Sequence, residues 1–155
     1  MSLKRHRRWI WDKSETAFYQ GKLEGLVLHV CCGESLVGDV RIDIEAQEPH
    51  PRDFILADYR HLPIRDKAFT SVICDPKWGK TERVDEGIIQ WLSELRRVSN
   101  KKVVIVHNTI FNFPGLTLEK CWAVRAKGLL YKSLSLYSVM KGLEHFKDMS
   151  LRGLP

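Results

Sequence analysis

The sequence of 155 residues lacks any long apolar run: LVLHV at 26–30 and VVIV at 103–106 are its longest. Both fall far below the roughly 18 residues that a membrane-crossing helix needs, so the expectation is a soluble chain. Cysteine is scarce, with four in all. None has the paired CxxC spacing of a zinc site, and neighbours Cys31 and Cys32 are badly placed to bridge each other. A disulfide scaffold is thereby excluded, no metal site is expected, and a reduced, cytoplasmic protein is predicted. No export signal is visible either, because Asp12 and Lys13 follow Trp11 before an apolar core can build. There is no repeat and no low-complexity segment. What is present is ordinary globular composition, 44% hydrophobic and 28% charged, which predicts one domain over 1–155. Within it we expect an N-terminal helical segment (1–25), a core (26–140) and a tail (141–155).

The net charge of +6 is unevenly spread. Residues 1–8 carry four basic side chains and no acid, residues 9–95 carry 10 basic against 16 acidic, and residues 96–155 carry 11 against 3. A positive surface concentrates a polyanion and releases its counterions, so nucleic acid is the partner this asymmetry favours. Charge alone fits a solvated surface equally well. Lys4, Arg5, Arg7 and Arg8 beside Trp9 and Trp11 combine cations with stacking surfaces.

Short apolar or alternating runs at 26–30, 40–44, 54–57 and 70–74 read as four strands, each ending in polar residues or Gly. A helix is predicted over 9–20, ended by Gly21 and Gly25, with Ser14 and Glu15 as weak interruptions. The strongest helix follows the fourth strand: Val84, Ile88, Trp91, Leu92, Leu95 and Val98 share one face, and Arg96 and Arg97 suit its C-terminal dipole. The run at 103–106 is apolar without alternation, as in a strand covered on both faces. Segments 121–126 and 133–140 read as a closing hairpin, and Leu143, Phe146 and Met149 as a short helical tail. This order predicts an α/β fold, mostly parallel with an antiparallel hairpin and few helices. Nine residues (31–39) join the first two strands and nine (45–53) the next two. Such loops reach about 30 Å extended, enough for a helix-free return along a strand of about 17 Å. A sheet face so poorly covered predicts a homodimer or a bound partner chain.

Ligands of open α/β sheets bind beyond the carboxyl ends of the strands. His29, Cys31, Cys32, Gly33, Asp43, Asp58, Tyr59, Asp75, Pro76, Lys77, Trp78, His107 and Asn108 all fall at such ends or just after them. Three carboxylates recur at successive tips, a set suited to a ligand with hydroxyls, an amine or a positive charge.

With LVLHVCCGES, VRIDIE, LADYRHLP and VICDPKWG on the page, the sequence from about residue 26 to 140 resembles the class I methyltransferases that use S-adenosylmethionine. The resemblance implies a Rossmann-like sheet and a cofactor loop at His29, Cys31, Cys32 and Gly33. Only Gly33 of the family's three glycines is present, with Cys31 and Ser35 at the other positions. It implies that Asp43 accepts from the ribose hydroxyls, and that Asp58 and Tyr59 contact the adenine. DPKW at 75–78 resembles the (D/N/S)-P-P-(Y/F/W) signature of methyltransferases acting on exocyclic amino groups of adenine or cytosine. Asp75 and the Pro76 carbonyl would then accept from the amine and Trp78 would stack on the base. Lys77 replaces the second proline. Lys77 and Lys80 are candidates for holding a phosphate beside the base, and His107 and Asn108 for contacting the substrate. The expected activity is methyl transfer to a base amino group in DNA or RNA. The alternatives are a small-molecule or protein methyltransferase, and an inactive cofactor- or nucleic-acid-binding module.

Overall fold

The computed structural model describes residues 11–45, 53–76, 86–125 and 131–141. Helix α1 (Lys13–Gln20) begins later than expected because Asp12 caps it. The Asp12 carboxylate accepts from the Glu15 N–H at 2.8 Å, and Glu15 Oε2 accepts from the Asp12 N–H at 3.1 Å. Glu15, read from the sequence as an interruption, is therefore half of the capping box that starts the helix.

Strands β1 (Val27–Val30), β2 (Val40–Asp43), β3 (Phe54–Leu56), β4 (Phe69–Cys74), β5 (Ser99–His107), β6 (Leu116–Arg125) and β7 (Tyr131–Val139) form one sheet in the order β3-β2-β1-β4-β5-β7-β6. The pairs β1–β2, β1–β4, β2–β3 and β4–β5 are parallel, while β7 runs antiparallel to β5 and β6. The expected α/β sheet, mostly parallel with a C-terminal antiparallel hairpin, is the observed architecture. Residues 31–39 make the first return without a helix, setting Leu28 beside Val40.

One sheet face buries Leu28, Val30, Ile42, Val72, Val103 and Ile105 against helix α2 (Glu86–Val98), whose Trp91, Leu92, Leu95 and Val98 meet them. The opposite face carries Val27, Ile73, Val104, Val106, Leu134 and Leu136 under Trp11 and Tyr19 from the α1 segment. Burial on both sides explains why VVIV does not alternate. The loop between β3 and β4 is secured to α2 by side chains. Arg97 donates to the carbonyls of Ile64 (2.6 Å) and Leu62 (3.0 Å) and pairs with Asp66 and Glu94, and Glu94 Oε2 accepts the Leu62 N–H at 2.7 Å. Leu36, Ile44 and Leu56 are exposed. The tail at 143–149 lies outside the described residues.

His29 belongs to the α1-side core. It is fully buried, stacked on Trp11 with ring centroids 4.8 Å apart, and its Nδ1 lies 3.1 Å from the Val37 carbonyl. A carbonyl only accepts, so Nδ1 carries the proton, and among the described residues Nε2 finds no partner. Burial pushes the ring down to about 4, with the nearby Arg41 charge acting the same way and the Val37 bond opposing.

Two predictions follow from this packing. Arg97→Met removes the cation paired with Glu94 and Asp66 and the donor to two carbonyls, and we expect a loss of about 2–3 kcal/mol, seen as a lower urea midpoint at unchanged slope. For His29, the unfolded ring takes up a proton near pH 6.5 whereas the folded ring resists until about pH 4. The neutral-ring stability is therefore present above pH 6.5 and lost as pH falls toward 4, by about 3 kcal/mol. Relative to His29→Leu, the wild type should lose that margin in urea melts between pH 7 and pH 4, and parallel pH curves would refute it.

Candidate functional site

The turn after β1 is made by backbone conformations that the sequence does not advertise. Cys31 has φ 57° and Gly33 φ 52°, both left-handed. For Gly33 this is free, whereas for Cys31 it stores about 1–2 kcal/mol. Cys31 thus follows a glycine-like path with a cysteine side chain. The Gly33 N–H then donates to Asp43 Oδ2 at 2.8 Å, while Asp43 Oδ1 accepts the Glu45 N–H at 3.1 Å. The turn is closed from below by the Cys32 N–H on the Ile42 carbonyl at 3.1 Å. The structure therefore brings Gly33 and Asp43, predicted separately, into one unit at the tips of β1 and β2.

Cys31 shares a thiol hydrogen bond with Cys74, also a free thiol, which together with its burial raises the Cys31 thiol well above the usual range, and the charges of Asp43 and Asp75 act in the same direction. Its thiol thus lies within electrostatic reach of both acids. Burial pushes Cys32 up to about 12. Both thiols are held protonated and behave as small apolar groups.

Asp75, just beyond β4, is turned under α1. Its Oδ2 accepts the Trp11 indole N–H at 2.7 Å and lies 3.8 Å from Lys132 Nζ on β7, and the same ammonium is 3.7 Å from Glu15 Oε1. The Tyr19 hydroxyl donates to Glu15 Oε1 at 3.3 Å. Glu15, Asp75 and Lys132 are all buried, with side chains 4%, 9% and 6% exposed. Burial pushes Asp75 up to about 6, opposed by Lys132 and the indole donor and reinforced by Glu15. The sequence reading gave Asp75 only an acceptor role toward the amine, and the folded chain also pairs it with a cation from β7. Lys132 and Glu15 were missed by the sequence reading. The signal was present: Lys132 shares the strand face of Leu134 and Leu136, which both join the α1-side core, and a lone cation on an apolar stripe requires a partner.

The remaining predicted residues are more scattered. Asp58 accepts four contacts from Arg60, including Nη2 at 2.6 Å, and this guanidinium holds its carboxyl below the usual range. Tyr59 packs toward Trp91, with centroids 6.1 Å apart. His107 sits in an aromatic group with Phe111 (4.9 Å) and Trp91 (6.5 Å), its Nδ1 accepting the Thr109 N–H at 3.0 Å. Asn108 is exposed and Pro76 buried. His29 does not reach the strand tips, for the reason given by its packing. Lys77, Trp78 and Lys80, with Lys4, Arg5, Arg7, Arg8 and Trp9, lie outside the described residues.

No protein-family model matches the chain, and no curated protein is similar to it in sequence. Solved structures are similar in fold. Magnesium protoporphyrin IX methyltransferase from Synechocystis with bound S-adenosylmethionine superposes with a TM-score of 0.56 at 16% identity, covering 83% of this chain and 77% of that one. TrmN from Thermus thermophilus gives 0.60 at 16% identity, covering 82% of this chain and 48% of that one. The 1,6-didemethyltoxoflavin-N1-methyltransferase of Burkholderia thailandensis gives 0.59 at 10% identity, over 82% and 77%. With the strand order above, the chain has the Rossmann-like fold of S-adenosylmethionine-dependent methyltransferases.

Proposed function

We propose that the chain is a methyltransferase that binds S-adenosylmethionine at the tips of β1 to β3 and methylates an exocyclic amino group of a base in DNA or RNA. The observation that supports this most is the 2.8 Å bond from Gly33 to Asp43, which couples the open glycine turn to an acid at the tip of β2 on a sheet of this order. The residues fit the cofactor. A carboxylate offers about four acceptor positions, and the N–H groups of Gly33 and Glu45 use two at Asp43, leaving two for a ribose diol. The Asp58–Arg60 pair is solvent-facing, 27% and 47% exposed, and such pairs contribute about 0–1 kcal/mol, so an adenine amino group displaces Arg60 at little cost. When bound, the cofactor supplies an electrophilic methyl on a cationic sulfur.

The protein's part is positioning. Trp11 and Lys132 both address Asp75 Oδ2, so Oδ1 is the oxygen that receives an N–H of the acceptor and turns its lone pair outward. The amine is its own nucleophile, and the neutral thiols of Cys31 and Cys32 take no part. In this reading Trp78 and the Pro76 carbonyl hold the base, Lys77 and Lys80 a neighbouring phosphate, and His107 and Asn108 border the acceptor. The basic segment 96–155 supports a polyanionic acceptor. A small planar heterocycle is the second reading, favoured by the porphyrin and toxoflavin acceptors in the names of two fold neighbours.

Two experiments test this. Calorimetric titration should show S-adenosylmethionine and S-adenosylhomocysteine binding, weakened about 10- to 100-fold in Asp43→Ala, as expected for the loss of charged hydrogen bonds. Absence of binding at millimolar ligand rejects the proposal. Transfer of labelled methyl should favour DNA or RNA over small heterocycles and fall by at least about 100-fold in Asp75→Ala. Undiminished transfer in that variant removes Asp75 from the reaction.

A further inference from the structure

Among the described residues, the Asp75 carboxylate lies against a buried cation that it shares with a second acid. From β7, Lys132 Nζ approaches Oδ2 at 3.8 Å; from α1, Glu15 holds the other side of the same ammonium at 3.7 Å. We propose that Lys132 and Glu15 are an opposed pair of positioning residues that set the charge of Asp75, Lys132 as the counter-ion that keeps the carboxylate an acceptor and Glu15 as the competing acid that limits it. This rests on the reading of Asp75 as the oxygen that receives the acceptor's N–H.

The geometry carries the inference. Two carboxylates and one ammonium share a site from which water is largely removed, so the two acids cannot both be fully compensated. Lys132 is the one cation the described residues place against either acid at this site. Among the described residues, the other groups facing Asp75 are neutral: the Trp11 indole donates to it at 2.7 Å, Tyr19 is committed to Glu15 at 3.3 Å, and Cys31 is a thiol. Trp11 fixes the orientation of the carboxylate, being itself stacked on buried His29. Glu15 is anchored independently, since its Oε2 closes the capping box on the Asp12 N–H. The Trp11 N–H and Lys132 both face Oδ2, so a proton on Asp75 sits on Oδ1 and blocks the oxygen that receives the acceptor's N–H in this reading. The balance between Lys132 and Glu15 therefore decides at which pH the site works.

The test reads the carboxyl directly. In the full-length protein, the side-chain carboxyl carbon of Asp75, assigned by its loss in Asp75→Asn, is followed by carbon NMR against pH. The wild-type midpoint should lie near 6. Lys132→Met should raise it by about one to three pH units, and Glu15→Gln should lower it, since removing opposite charges acts in opposite directions. Lys132→Arg keeps the charge and should hold the wild-type midpoint. A midpoint unmoved in Glu15→Gln, or moving the same way in it as in Lys132→Met, overturns the proposal. If Lys132→Met does not fold, Glu15→Gln and Lys132→Arg decide alone. Methyl transfer supplies the second readout: its acidic limb should follow the NMR midpoint of each folded variant, whereas a merely structural role would lower the rate at all pH values equally. If no variant and no wild type transfers methyl while the midpoints move as stated, the functional reading of Asp75 fails and the charge-setting pair stands.

Discussion

A carboxylate withdrawn from water at the tip of a central strand is the constraint around which this small protein is arranged. Asp75 follows β4, the middle strand of the sheet, and leaving it buried without donors would cost several kcal/mol. The donors come from both ends of the chain. Trp11 arrives with α1 and Lys132 with β7, so the docking of the N-terminal segment and the closure of the C-terminal hairpin converge on one oxygen. Trp11 also covers His29, and Tyr19 reaches back to Glu15, so the apolar core on that face and the polar cluster above it are built by the same side chains. Any disturbance of Asp75 is thus felt by the packing of α1.

Elsewhere polar side chains take over the work that crossover helices do in larger α/β proteins. Asp39 accepts the Val27 N–H at 2.8 Å, Asp43 the Gly33 N–H, and Glu94 the Leu62 N–H, while Arg97 holds the carbonyls of Leu62 and Ile64. Each bond fixes a loop to the strand or helix beside it. These acids belong to the excess of 16 over 10 in residues 9–95, so part of that excess is structural. Asp43 ties the turn after β1 in place, and in the proposed reading its two remaining acceptor positions serve the ribose.

Much of the fold was legible because it depends on local pattern. The apolar runs became strands β1 to β5, the one-faced spacing of Trp91, Leu92, Leu95 and Val98 became the buried stripe of α2, and Arg96 and Arg97 ended that helix. The pairing of Gly33 with Asp43 was also foreseeable, since parallel neighbours put their tips side by side. The start of α1 was misread because Glu15 is polar, and its value as a capping partner appears only with Asp12 in the β region at φ −72°, ψ 173°. His29 was assigned to the cofactor loop by position along β1, but strand alternation sends its ring to the face that Trp11 covers. Asp58 was expected to contact the adenine, and in the folded chain Arg60, two residues on, meets it.

The sequence by itself determined the class of the protein: an α/β sheet with acids at the strand tips, few helices and a basic C-terminal third. Periodicity and end chemistry suffice for that because neighbours along the chain dictate them. Only the tertiary structure decided the environment of each acid. Burial and the approach of charges from distant segments, such as Lys132 on Asp75 across 57 positions of chain, depend on which faces meet, and no local pattern encodes that.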